Sequence, residues 1–97
     1  MSSIGFLVTM TAKPGKTAEL EEFLAGALPL AEAEGGTVSW YAVRIDEDTY
    51  AIFDTFDDEP ARQEHLNGRI AAALMARAGE LLAEPPSIKP VDILAAK

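Results

Sequence analysis

The spacing of apolar positions changes several times along the chain, and each change marks an element. Ile4–Ala12 is rich in Ile, Phe, Val and Thr and predicts a first strand. Lys13-Pro14-Gly15-Lys16 then signals a turn. From Thr17 the period becomes helical: Leu20, Phe23, Leu24, Ala27, Leu28 and Ala31 all fall on one helix face. Glu19, Glu21 and Glu22 occupy its first turns, where the helix dipole favours negative charge. Pro29 has no N–H to donate to the carbonyl of Ala25, so it is expected to kink this helix. Gly35-Gly36 is expected to end it.

Thr37–Asp46 and Thr49–Phe56 are two strand-like runs joined by Glu47-Asp48, a pattern that predicts a hairpin. If Asp46 pairs with Thr49, Tyr41 lies opposite Asp54 and Ser39 opposite Phe56, on one face with Tyr50 and Ile52. Trp40, Ala42, Phe53 and Thr55 then take the other face. A loop one residue longer or shorter exchanges the two sets. Asp57-Asp58-Glu59-Pro60 reads as a helix start, with acids in the capping region and then Pro at the first helical position. That helix should run to about Asn67-Gly68. Ile70, Ala73, Leu74, Ala78, Leu81 and Leu82 mark a further amphipathic helix, stopped by Pro85-Pro86. Ile88–Ala95 reads as a last strand, which Pro90 confines to an edge or a bulge.

The order β-α-β-β-α-α-β implies an α+β subunit of ferredoxin-like type, with a four-stranded antiparallel sheet. Helices on one side leave the other sheet face uncovered. Together with an apolar edge strand carrying Val91, Ile93 and Leu94, that face favours a second copy of the chain as its cover.

Composition narrows the chemistry. The 97 residues fit a single domain over 1–97 with a thin core. The net charge of −8 excludes a phosphate-backbone binder and argues against docking on anionic lipid. Without Cys there is no disulfide, no thiolate metal site and no thiol nucleophile. One His excludes a multi-His metal site within the chain. No basic residue precedes the short apolar run Ile4–Val8, and no window is long enough to span a membrane, so a soluble, cytoplasmic protein is expected.

His65, whose side chain titrates near neutrality, is the natural general base; the alternative is a histidine that caps or fills a polar gap. Asp54 sits mid-strand between Phe53 and Phe56, where a carboxylate is unusual. Facing the helices it is buried and needs a partner; facing outward it pairs with Arg44 or Arg62. Trp40, Tyr41, Tyr50, Phe53 and Phe56 gather on the hairpin, either as walls for an aromatic ligand or as plain core. The acidic turns 46–48 and 57–59 lack Ca²⁺-loop spacing, and neither a phosphate loop nor a G-x-S-x-G elbow is present.

A first strand ending in A-K-P-G-K, a helix, a hairpin and then F-D-T-F-D-D-E-P-A-R-Q-E-H-L resemble the antibiotic biosynthesis monooxygenase family over nearly the whole chain. The family block, an acid, one residue, an aromatic, then a helix with Ala and His-Leu, corresponds to Asp54, Phe56, Ala61 and His65-Leu66. The family usually has Glu and Trp where Asp54 and Phe56 stand, and Tyr in place of Trp40. The resemblance implies a homodimer whose sheets form an α/β barrel, with a pocket between sheet and helices in each subunit. It implies oxygenation of a quinol or polycyclic phenol by O₂, with neither metal nor flavin. His65 would be the base or proton shuttle and Asp54 would orient it or stabilise charge. Trp40, Tyr41 and Phe56 would form the ring-binding walls. The haem-degrading branch of the superfamily does not fit: Asn67 is not on strand one, and the late His position falls near Leu74-Met75. The alternative reading is a non-catalytic dimeric module that binds a small apolar molecule. Convergence of His65 and Asp54 on a cavity would favour the enzyme; exposure of both to bulk water would favour the module.

Overall fold

The computed structural model describes residues 3–97. Met1 and Ser2, the first residues of the 1–97 domain expected above, lie outside the described residues. The elements are β1 (Ile4–Thr11), α1 (Thr17–Gly26), α2 (Leu28–Ala33), β2 (Thr37–Arg44), β3 (Thr49–Phe56), α3 (Glu59–Leu66), α4 (Arg69–Leu81) and β4 (Ser87–Asp92). The four strands form one antiparallel sheet in the order β2-β3-β1-β4, the ferredoxin-like α+β arrangement. The strand bearing Pro90 is at an edge, where a missing N–H costs no ladder bond. It stops at Asp92, short of the expected Ala95. No helix among the described residues is long and apolar enough to cross a membrane.

One face of the sheet carries the core. Phe6, Val8 and Met10 of β1 and Tyr50, Ile52 and Phe56 of β3 pack beneath Leu20 and Leu24 of α1 and Leu74 and Leu81 of α4. The expected helix break is sharper than a kink: α1 ends at Gly26 and α2 restarts at Leu28, with Pro29 in its first turn. There the missing Pro N–H has no intrahelical partner to lose. α3 begins at the expected cap, with the Asp58 carboxylate accepting the Ala61 N–H at 2.9 Å. The opposite sheet face leaves Leu7, Tyr41 and Val43 exposed.

The hairpin differs from the two-residue connection. Ile45 N–H donates to the Thr49 carbonyl, and Arg44 pairs with Tyr50. The Asp46 carboxylate accepts the N–H groups of Asp48 and Thr49, which takes Asp46 out of the ladder as the first residue of an Asx-type turn. The loop gains one residue and the faces exchange. Trp40 now lies opposite Asp54, and Ala42 opposite Ile52, on the helix side; Tyr41 lies opposite Phe53 on the open side.

Gly5 fixes how closely β1 and β3 approach beside Asp54. A Cβ built on Gly5 would stand 2.3 Å from the Asp54 carbonyl oxygen, a backbone atom that cannot rotate away. Gly5→Ala is therefore expected to destabilise by about 2 kcal/mol or more, since the strands must separate. Asp58→Ala, which removes only the cap, should lose about 1 kcal/mol. Urea unfolding of the two variants checks both values and their order.

Candidate active site

β3 carries Asp54 toward the helices in the middle of the sheet, where its residue exposure is 0%. Removing a carboxylate from water without a partner is costly. The partner comes from α3. His65, in the last turn of that helix, is buried, and its Nε2 lies 2.8 Å from Asp54 Oδ2. This is a close charge contact without hydrogen-bond alignment, and neither Asp54 oxygen has a hydrogen-bonded partner among the described residues. The arginines considered as partners are engaged elsewhere: Arg44 with Glu21, and Arg62 with Glu59 and the Gly5 carbonyl.

The other ring nitrogen meets a second carboxylate. His65 Nδ1 is 2.5 Å from Glu34 Oε1, which also accepts the Thr37 hydroxyl at 2.8 Å. Glu34 is the C-cap of α2, with an extended backbone that turns the chain into β2. Gly68 leaves it room, since a Cβ there would come within 2.9 Å of Glu34 Oε2. The imidazole is thus held edge to edge between two acids, with the Phe56 ring 5.1 Å away, centroid to centroid. Burial opposes the charged ring, but Asp54 and then Glu34 outweigh it, and the His65 pKa is raised above the ordinary imidazole value. The carboxylates flank opposite edges of the ring and do not converge on one point, and no metal-holding cluster occurs among the described residues.

A cavity of about 100 Å³ opens beside this pair, lined by Phe6, Val8, Trp40, Ile52, Asp54, His65, Leu66, Ile70, Ala71, Leu74, Met75 and Ile88. Its only ionisable walls are Asp54 and His65. Trp40 contributes an indole whose Nε1 is buried and without a partner. Of the sequence candidates, His65, Asp54 and Trp40 meet at this cavity. Phe56 is fully buried and packs on His65 without lining the cavity. Tyr41 is 58% exposed on the opposite sheet face, a consequence of the longer hairpin loop. Glu34 escaped the sequence reading. It belongs to no periodic pattern and stands 31 residues from its partner; an acid directly before Gly35-Gly36 was its only local signal.

Comparison with known proteins agrees with this architecture. The family model described as antibiotic biosynthesis monooxygenase matches residues 3–77. A protein of unknown function from Nitrosomonas europaea has a solved structure that is 54% identical, with a TM-score of 0.97, covering 100% of this chain and 94% of that one. Two proposed antibiotic biosynthesis monooxygenases share the fold. One, from Caulobacter crescentus, is 24% identical with a TM-score of 0.77, covering 97% of this chain and 92% of that one. The other, from Nitrosomonas europaea, is 14% identical with a TM-score of 0.83, covering 95% and 90%. No curated protein matches the chain. The matched segment runs from β1 through the hairpin and α3 into α4, and so includes Asp54 and His65; the chain belongs to the antibiotic biosynthesis monooxygenase family.

Proposed function

We propose that this protein is a cofactor-independent monooxygenase that oxidises a phenolic ring, a quinol in the first instance, with O₂. The observation that carries the reading is the contact between His65 and Asp54 on the wall of an otherwise apolar cavity. A phenolic O–H placed there meets a carboxylate oxygen with no hydrogen-bonded partner and a histidine behind it. Loss of the phenolic proton makes the ring electron-rich enough to pass an electron to O₂, and the caged radicals then combine. The balance closes without an added reductant. The quinol supplies both electrons, one oxygen atom enters the ring, and the other leaves as water with the two hydrogens released.

The cavity volume narrows the substrate. An apolar cavity of about 150 Å³ in another protein accepts benzene. The roughly 100 Å³ here suits one ring better than a polycyclic system. Leu66, Met75 and Ile88 are partly exposed members of the lining, and Met75, with its flexible thioether, is the side chain best able to yield to a larger ring. Trp40 forms a wall. The uncovered sheet face with Leu7, Tyr41 and Val43 favours a working homodimer closed sheet to sheet.

Aerobic incubation with a panel of hydroquinones is expected to give oxygen uptake above autoxidation, and His65→Ala should lower kcat by roughly 10²-fold or more. Uptake no faster than the protein-free rate on every compound would sink the monooxygenase reading and leave the binding module. Sedimentation should find a dimer that Val43→Asp dissociates; a wild-type monomer at micromolar concentration would contradict the sheet-to-sheet pairing. Folding raises the His65 pKa, so its stabilising charge contact is complete below the unfolded value and fades as pH climbs through the folded one. As pH rises from about 6.5, the unfolded value, through the raised folded one, wild type should therefore lose more stability than His65→Gln. Parallel pH curves of the two proteins would show that the folded ring gains no proton affinity.

A further inference from the structure

His65 belongs to two cavities at once. Besides the inner apolar cavity, it lines a solvent-facing cleft of about 380 Å³ together with Glu34, Gly36, Thr37, Glu64 and Arg69. It is the one residue common to both linings. Asp54 belongs to the inner cavity alone and Glu34 to the cleft alone. The two nitrogens of the ring therefore connect a buried acid to a partly exposed one.

The proton count across this chain is constrained. A ring nitrogen without a hydrogen and a carboxylate oxygen repel each other through their lone pairs. The aligned Nδ1–Glu34 contact needs a proton between its atoms, the close Nε2–Asp54 charge contact is favourable only with a hydrogen on the ring or the acid, and a neutral imidazole carries only one. Asp54, His65 and Glu34 together hold two protons, as an imidazolium between carboxylates or as a neutral ring with one carboxylic acid. A third proton, arriving from a phenol in the inner cavity, has to displace one on the far side. The inner walls besides Asp54 and His65 offer no ionisable group, so the exit runs through Glu34.

We infer that Glu34 is the proton port of the site: it receives the Nδ1 proton of His65 and releases it into the cleft, so that the inner cavity can be deprotonated without being opened to water. This rests on the monooxygenase reading for its purpose, but not for its geometry. In the relay the substrate O–H bond breaks as an O–H bond forms on the Asp54 oxygen that does not face the ring. The Nδ1–H bond of the imidazolium breaks as Glu34 takes that proton and delivers it to water; one proton enters and one leaves, so charge and atoms balance. Thr37 holds the Glu34 carboxylate in line through its hydroxyl. Arg69 and Glu64, on the cleft wall, and Arg62, stacked on Phe6 next to the ring, are the other charged groups around the triad. Glu34 is a positioning and relay residue, since it does not reach the inner cavity.

The test uses Glu34→Gln, which keeps an acceptor for the ring N–H but cannot carry the proton away. His65 is the only histidine, so its ¹⁵N-imidazole signals are unambiguous. In the variant, exchange of the ring N–H with water should slow by about tenfold or more, and the ring should titrate at lower pH than in wild type. With a hydroquinone, kcat should fall by about tenfold or more with KM unchanged, and added formate should restore part of the rate. Glu34→Asp, one methylene shorter but still an acid, should recover most of the exchange rate and guards against simple misfolding of the Gln variant. Unchanged exchange in a folded Glu34→Gln protein, or an unchanged kcat and pH profile, overturns the proton port. Absence of oxygen uptake by wild type overturns the monooxygenase reading instead, while the exchange measurement still decides the relay.

Discussion

Everything about the site follows from burying one carboxylate. Asp54 is wholly enclosed at the centre of the sheet, where an unpaired charge costs several kcal/mol. The fold answers by setting the end of α3 over β3, so that an imidazole stands against it. That histidine is itself buried, and its second nitrogen needs a partner, which the C-cap of α2 supplies. The break between α1 and α2, the Asp58 cap that starts α3 and the small residues Gly36 and Gly68 all serve this alignment. A Cβ on Gly36 would stand 3.0 Å from that of Ala61, so glycine there lets the start of β2 approach α3.

The same burial separates the surroundings of the two acids. Inside, Asp54 faces aromatic and aliphatic walls. Outside, the partly buried Glu34 borders a solvent-facing cleft together with Thr37, Glu64 and Arg69. A histidine in a low-dielectric wall with acids on both edges favours its charged form despite desolvation.

Local chemistry made most of the fold readable. Period changes at Thr17, Thr37 and Ile70, the Asp58-Glu59-Pro60 start and the Pro85-Pro86 stop each act within a few residues, and the elements formed there. His65 and Asp54 were visible as the only residue titrating near neutrality and an acid out of place on a strand. The hairpin register was not, because it turned on one side chain: Asp46 caps its own turn, the loop lengthens, and Trp40 exchanges faces with Tyr41. Glu34 was invisible for a different reason. Its role exists only once α2 and α3 lie side by side, and nothing in its neighbours along the chain encodes that contact.

The three side chains in mutual contact, Glu34, Asp54 and His65, fall within one continuous stretch of 32 residues that holds β2, β3 and most of α3. The walls that decide what fits beside them come largely from elsewhere: Phe6 and Val8 from β1, Ile70, Leu74 and Met75 from α4, and Ile88 from β4. The polar centre and the shape of its chamber are thus written in separate segments of the chain. Exchanges confined to the first strand and the C-terminal third can remould the chamber while the central segment stays as it is. For an engineer, or for divergence within a family, this arrangement lets the shape of the chamber drift independently of its polar centre.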